Sequence, residues 1–494
     1  MRRNNYGVLM VMIGIIILLA LPVFLFYPSE IRYLPSFLIP GIAAALAGLF
    51  LCFFFPRKKA EDSWKYDLYS GSMIVLFAWI CGIVFSSFPF VIGGQLTPLR
   101  ALFEAVSAWT TTGLSVMDVE KVPHVYLYYR GWMQFCGGLG FILIMLTFRQ
   151  GRKAAVLYSA EGHSDRIRPH LRQTVLMIVG MYFSFLIAGI IAYIIAGMNP
   201  LDSIVHSMAA LSTGGFSNKA ASIGAYNSFP IEIITILIML AGSVNFAVML
   251  VLVRGKVKNF FKATEVRFLG VLLVIIVPIM ALILFCCLYG KLGFSFRESL
   301  FNAVSAITTS GFSTVDYNTW PQAAVGIMIL LMIIGGGIGS TAGGIKLFRI
   351  YIMLNTAGES IRRKLSPNSS VRIRHYTNAQ GKMAIEPSLI SDTFAFIGLY
   401  LTILMAGSIA ITALENCPFA NGFFEFASSL GTVGLSIGIT GPTTRAATLI
   451  VEICGMFLGR LEIFIVFIGV HSAVASVARL FRNKKKQPAS EGMS

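Results

Sequence analysis

The stretch Leu102-Phe-Glu-Ala-Val-Ser-Ala-Trp-Thr-Thr-Thr-Gly-Leu-Ser115 has three gapless counterparts further along the chain. They are Ile204-Val-His-Ser-Met-Ala-Ala-Leu-Ser-Thr-Gly-Gly-Phe-Ser217, Leu300-Phe-Asn-Ala-Val-Ser-Ala-Ile-Thr-Thr-Ser-Gly-Phe-Ser313 and Phe423-Phe-Glu-Phe-Ala-Ser-Ser-Leu-Gly-Thr-Val-Gly-Leu-Ser436. Every copy closes on Thr-x-Gly-[Leu/Phe]-Ser, which places glycines at 113, 215, 311 and 434 in equivalent positions of a long-period repeat. An apolar run precedes each copy and another follows it. In three copies the short helix opens near a proline, at Thr97-Pro98, Asn199-Pro200 and Cys417-Pro418, the first two reading as a cap followed by proline in the first turn. About 12 helical residues reach only ~18 Å, roughly half a bilayer. Chain that stops halfway must line a cavity enclosed by protein or filled with water, so the unit is helix, re-entrant pore helix, glycine turn, helix.

The surrounding sequence fits that unit. Of 494 residues, 56% are hydrophobic and only 12% charged, which excludes an ordinary soluble protein. Ten apolar stretches are long enough to span a membrane, at about 7–27, 34–55, 70–92, 127–148, 174–196, 229–253, 265–290, 321–350, 388–414 and 446–478. The first starts with Arg2-Arg3 like a signal peptide, but it is too long and no small-x-small cleavage site follows, so it reads as a membrane helix. The seven cysteines show no metal-ligand or disulfide spacing. With the N-terminus inside, the inner segments hold 30 Lys and Arg and the outer segments eight. The net charge of +17 is therefore a positive-inside signal and not a nucleic-acid footprint. These observations predict an all-α polytopic membrane protein of about ten transmembrane helices, with four re-entrant pore loops in pseudo-four-fold repeats.

Four pore helices around one axis aim four C-termini, each with partial negative charge, at a common centre that favours a cation. Beyond each C-terminus, glycine opens backbone angles that let consecutive carbonyls replace the water shell of a dehydrated ion, and potassium suits such a site. On these motifs the chain resembles the Trk/Ktr/HKT superfamily of potassium transporters along nearly its whole length, and most closely the TrkH type, whose extra N-terminal helix pair corresponds to 7–55. The resemblance implies a potassium selectivity filter at Thr111, Thr112 and Gly113; Thr213, Gly214 and Gly215; Thr309, Ser310 and Gly311; and Thr432, Val433 and Gly434. In some plant relatives serine at the first of these glycines accompanies sodium selectivity. Gly113 keeps the glycine form.

Ile334-Gly-Gly-Gly-Ile-Gly-Ser-Thr-Ala-Gly-Gly-Ile-Lys346 interrupts an otherwise helical span. It imitates a dinucleotide fingerprint and a phosphate loop, but both need a soluble α/β domain, and no polar loop here is long enough for one. Broken helix at membrane depth marks a pathway or a moving part, while glycine also serves close helix packing. The resemblance implies a gate formed by Gly335, Gly336, Gly337, Gly339, Ser340, Thr341, Gly343, Gly344 and Lys346. Arg460 falls near mid-membrane in the last span, where a charge must face a pore or a partner. Two readings stand for it, an ion pair with Glu452 or Glu462 and, from the resemblance, a pore-side arginine that supports the gate loop. Glu104 and Glu425, with His206 and Asn302 in the equivalent places, are expected to bond the neighbouring filter backbone as scaffold, in preference to direct ion coordination or proton handling. No catalytic constellation is evident.

The predicted organisation is a helix pair in 1–60, pore repeats in 66–150, 170–260, 262–356 (with the gating loop) and 388–484, and a tail in 485–494. The implied function is potassium uptake across the cytoplasmic membrane, with both termini cytoplasmic. Alternatives are a Na⁺-permeable or H⁺/Na⁺-coupled transporter of the same fold, or a carrier of anions or solutes with Arg460 as ligand. No cofactor is expected in this chain. The resemblance implies a homodimer and a cytoplasmic TrkA-like ring subunit that binds NAD or ATP, docking on the basic inner loops near 149–172 and 357–386.

Overall fold

A computed structural model of the chain describes residues 5–54, 64–140, 171–365 and 374–485. It opens with α1 (Asn5–Leu18), α2 (Val23–Phe26) and α3 (Leu34–Phe54). Helices α1 and α3 meet through small residues. Gly7 abuts the Gly48 carbonyl and Gly14 the Gly41 carbonyl, so the two backbones approach as closely as glycine allows.

Four units of one pattern follow. The first holds α4 (Trp64–Ile92), pore helix α5 (Pro98–Trp109) and α6 (His124–Leu139). The second holds α7 (Leu171–Ile195), pore helix α8 (Pro200–Leu211), α9 (Phe229–Ser243) and α10 (Phe246–Val253), with the short α11 (Val257–Lys262) after it. The third holds α12 (Thr264–Leu284), pore helix α13 (Leu292–Ile307), α14 (Gln322–Ile334) and α15 (Leu347–Leu365). The fourth holds α16 (Pro387–Glu415), pore helix α17 (Phe419–Leu430), α18 (Ala446–Arg460) and α19 (Ile463–Lys485). The long helices are apolar outside as well as in, as a lipid-facing surface demands. The pore helices are buried over most of their length.

Four of the ten expected spans are not single helices among the described residues; the 7–27 span is α1 and α2 with a turn at 19–22 between them. The 229–253 span turns by 116° between α9 and α10, and the 446–478 span by 100° between α18 and α19. In the 321–350 span the break is the expected one, a loop over 335–346. Among the described residues, six helical stretches are long and apolar enough to cross a membrane, or up to eight if each bent pair is one span. The far part of the expected 127–148 span, 141–148, lies outside the described residues. The cause of the second-repeat break is Asn245. Its side chain accepts from the Ala247 and Val248 amides, which caps a new helix inside an apolar run.

The inner polar loop between α15 and α16 contains a hairpin, β1 (His375–Asn378) and β2 (Gly381–Ala384), antiparallel with His375 opposite Ala384. The Thr377 amide donates to Thr264 Oγ1 (2.8 Å), fixing the hairpin to the start of α12.

Candidate functional site: a ring of four pore loops

Each pore helix ends with the same cap. The amides of Thr112, Gly214, Ser310 and Val433 donate to the carbonyls of Ser107, Ala209, Ser305 and Ser428, at 2.9, 2.8, 2.9 and 2.8 Å. The residue before each of these is a threonine in the left-handed region, with φ of 55°, 52°, 52° and 49° at Thr111, Thr213, Thr309 and Thr432. Four residues of that kind in equivalent places store strain that the packing around them must hold. The glycines that follow are left-handed too, at 95°, 70°, 75° and 95° for Gly113, Gly215, Gly311 and Gly434.

The loops close on one another. A Cβ at Gly113 would strike the Gly214 carbonyl oxygen, one at Gly215 that of Ser310, one at Gly311 that of Val433, and one at Gly434 that of Thr112. Each loop thus leans its glycine on the next loop's preceding carbonyl, and the fourth returns to the first. The twelve residues Thr111–Gly113, Thr213–Gly215, Thr309–Gly311 and Thr432–Gly434 form one ring drawn from the whole length of the chain.

Behind the ring, the residues at the equivalent pore-helix position tie each helix to its own loop. Glu104 accepts from Ser115 Oγ (2.9 Å) and the Val116 amide (3.0 Å), and Glu425 from Ser436 Oγ (2.7 Å) and the Ile437 amide (3.1 Å). His206 Nε2 lies 2.9 Å from Ser217 Oγ, and Asn302 Nδ2 donates to Thr314 Oγ1 (2.9 Å). The backbone reached is the exit of the same loop and not a neighbour's. The link to a neighbour comes from Arg130, a charge inside the 127–148 span that the sequence reading did not single out. It is 1% exposed on α6, pairs with Glu104 (2.7 Å) and donates to the Ser217 carbonyl (3.0 Å) of the second loop. Gln134, one turn on, donates to the Gly214 carbonyl (2.6 Å) and accepts from the Phe216 amide (3.3 Å). Their signal in the sequence was the spacing of two polar residues, four apart, on one face of an apolar span.

The glycine-rich loop lies against three of the four ring segments. Thr341 Oγ1 is 3.0 Å from Thr213 Oγ1 and donates to the Gly242 carbonyl (2.9 Å). The Gly343 amide donates to Thr309 Oγ1 (2.7 Å), and Gly343 packs on Gly431 and Thr432 without room for a side chain. The Thr111 and Thr432 hydroxyls are buried without a hydrogen-bond partner. The loop's own turns fall at Gly335, Gly339, Gly344 and Lys346, all with positive φ. Gly335 and Gly344 pack on each other where the chain enters and leaves the loop, while Gly336 and Gly337 lie against Ser243. Ser340 Oγ donates to the Gly337 carbonyl (2.6 Å), and Lys346 Nζ to the Ala342 carbonyl.

Arg460 reaches the loop from the fourth repeat. It donates to the Thr341 carbonyl and to the Gly137 carbonyl (2.7 Å) at the end of α6. Glu452 bonds Thr440 Oγ1 (2.7 Å), and Glu462 pairs with Arg349 (2.5 Å). A cavity of about 60 Å³ lies beside the loop, lined by Ser340, Lys346, Arg460 and Glu462 among others. At the loop's far tip, the Ile338 amide donates to Glu265 Oε1 (2.9 Å) and its carbonyl accepts from Asn245 Nδ2 (2.7 Å).

Apolar helices long enough to cross a membrane, packed around a ring of re-entrant loops, are the architecture of a multi-pass membrane protein. A profile of the TrkH family of cation transport proteins matches residues 43–474. The chain belongs to that family. It is 28% identical to the uncharacterized cation transporter MJ1485 of Methanocaldococcus jannaschii, over 94% of this chain and 93% of that one. It is 32% identical to the Trk system potassium uptake protein TrkG of Escherichia coli K12, over 81% and 84%. The crystal structure of the potassium transporter TrkH from Vibrio parahaemolyticus superposes with a TM-score of 0.81 at 26% identity, covering 94% of this chain and 96% of that one.

Proposed function

We propose that the chain takes up potassium across the cytoplasmic membrane through a single pore, with the four-loop ring as selectivity filter and the 335–346 loop as gate. The observation that carries this reading is the cyclic contact of each ring glycine with the next loop's carbonyl. A ring held by backbone against backbone fixes the spacing of its carbonyls, and fixed carbonyls replace the hydration shell of one ion size better than another. The printed names of the relatives, potassium uptake proteins and a potassium transporter, support potassium as the ion. The excess of Lys and Arg in alternate loops supports cytoplasmic termini. The buried Thr111 and Thr432 hydroxyls supply further oxygens at the inner edge of the filter.

In this reading the gate loop blocks the exit from the ring, and Arg460 holds it there. A homodimer, and control by a TrkA-like cytoplasmic subunit that carries the NAD or ATP, complete the proposal; the chain itself carries no cofactor. Reconstitution in liposomes with rubidium tracer uptake, competed by K⁺, Na⁺ and Li⁺, tests the pore. The expected result is competition by K⁺, loss of that preference in Gly113→Ser, and faster unregulated flux on deletion of residues 339–343. Wild-type flux indifferent to K⁺ would overturn the filter reading and favour a solute carrier, whereas equal competition by Na⁺ would favour the sodium-permeable alternative.

A further inference from the structure

Away from the ring, the side of the molecule assigned to the cytoplasm carries a cavity that ion passage does not use. It has a volume of about 440 Å³ and lies between the α10–α11 junction and the β1–β2 hairpin. Arg254, Lys256 and Lys262 line one side, and Thr377, Asn378 and Gly381 the other. Its lining among the described residues contains three cations and no carboxylate. Lys256 and Lys262 are exposed and have no ion-pair partner among the described residues, while Arg254 donates to the Met177 thioether, a weak acceptor. Scattered surface lysines are ordinarily solvated charges. Uncompensated cations around one concavity instead sum their fields at its centre, which selects an anion. Basic pockets at the cytoplasmic ends of membrane helices match phosphate headgroups in charge and depth.

The cavity continues into a second one of about 60 Å³, sharing Val248, Ala263, Thr377 and Asn378 and ending at Glu265 and Ile338. Two bonds join its walls to the glycine-rich loop. The Thr377 amide donates to Thr264 Oγ1 (2.8 Å), and the next residue, Glu265, accepts from the Ile338 amide (2.9 Å). Hairpin, start of α12 and loop tip are therefore one hydrogen-bonded chain.

We propose that this cavity binds a phosphate-bearing anion at the inner membrane surface, and that its occupancy sets the position of the 335–346 loop through Thr264 and Glu265. The binding half stands on the cavity alone; the regulatory half rests on the reading of that loop as a gate.

The full chain in detergent is probed with phosphatidylglycerol, scored by native mass spectrometry, and with glycerol 3-phosphate, scored by calorimetry. The test variant is Lys256→Gln with Lys262→Gln, both at exposed positions. The control is Lys382→Gln, a hairpin cation outside the cavity. Loss of two cations from the site is expected to weaken binding roughly 30-fold, with the control unchanged. Lipid retention that glycerol 3-phosphate does not displace identifies a headgroup site, and glycerol 3-phosphate binding in lipid-free detergent identifies a soluble phosphate. Binding of neither probe, or equal loss in the control, overturns the site.

Rubidium flux is then compared in vesicles of phosphatidylcholine with and without phosphatidylglycerol, and with and without glycerol 3-phosphate inside. Wild type is expected to change rate about twofold or more with the probe that binds, and the double variant not to respond. Glu265→Ala is expected to keep binding and lose the response. Binding with no rate change in wild type overturns the regulatory half. K⁺ competition, scored in the same vesicles, reports separately on the pore.

Discussion

At the scale of single residues, the ring is held from behind by groups that an apolar interior tolerates only when paired. Arg130 and Glu104 are 1% and 0% exposed, and each bonds a different pore loop. Removing one partner of a buried, hydrogen-bonded pair leaves the other charge uncompensated, at a cost of about 3–5 kcal/mol. Arg130→Leu is therefore expected to lower the melting temperature of the detergent-solubilised protein clearly, and replacing Glu104 as well, by Gln, to recover part of the loss. Thermal melting followed by size-exclusion chromatography measures both; equal stability of wild type and the single variant would show that the pair carries no structural load. The glycines make a sharper case. Gly311 has φ 75° and no room for a Cβ beside the Val433 carbonyl, the same circumstances as Gly113. Gly311→Ala should accordingly abolish K⁺ competition, as is expected of Gly113→Ser, a result that one dominant loop would not give.

At the scale of elements, the second long helix of repeats two, three and four is broken, and the breaks meet the glycine-rich loop. Gly242, Ser243 and Asn245 bond it from the second repeat and Arg460 from the fourth. Hydrogen bonds to a charged donor contribute about 1.5–3 kcal/mol each. Arg460→Ala, which removes those to Thr341 and Gly137, is expected to raise flux about tenfold or more with K⁺ preference retained, because the ring itself is untouched. Liposome flux measures it, and a lowered flux would assign Arg460 to conduction instead. The loop at 335–346 and the four-loop register were legible in the sequence, since glycine clusters and an internal repeat are local signals. The breaks at 244–245 and 461–462 were not read as breaks, because the apolar sequence on both sides of each is long enough in sum to count as one span. Asn245 was the available sign, a capping residue inside an apolar run. At the fourth-repeat break the sign was the pair of charges Arg460 and Glu462 inside the span; what it did not reveal is that Glu462 takes φ 57° and pairs with Arg349, more than a hundred residues away in sequence, a tertiary cause that no local pattern records. The hairpin at 375–384 was hidden likewise, being too short to show a period.

At the scale of the molecule, the ring closes between Gly434 and Thr112, so the last repeat completes a structure begun by the first. Every repeat supplies a segment of the ring, but the N-terminal helix pair is not part of that circle. It packs on the first repeat from outside: Glu30 accepts from the His124 and Val125 amides at 2.8 and 2.9 Å, and the Ile16 carbonyl accepts from Trp132 Nε1 (3.1 Å). These bonds reach the face of α6 that the helix pair covers, whereas Arg130 and Gln134 reach the ring from its other face. The two jobs of α6 are thus separable. Deleting residues 1–55 strips the Glu30 cap and exposes Phe37's partners Tyr126 and Tyr129 to lipid. The truncated chain is expected to melt at lower temperature and accumulate less in the membrane, while the fraction that folds keeps the K⁺ over Na⁺ competition of the full chain. Loss of that preference in folded, truncated protein would mean that the helix pair holds the ring in shape through α6, and that the filter's geometry belongs to the whole molecule and not to the four repeats alone.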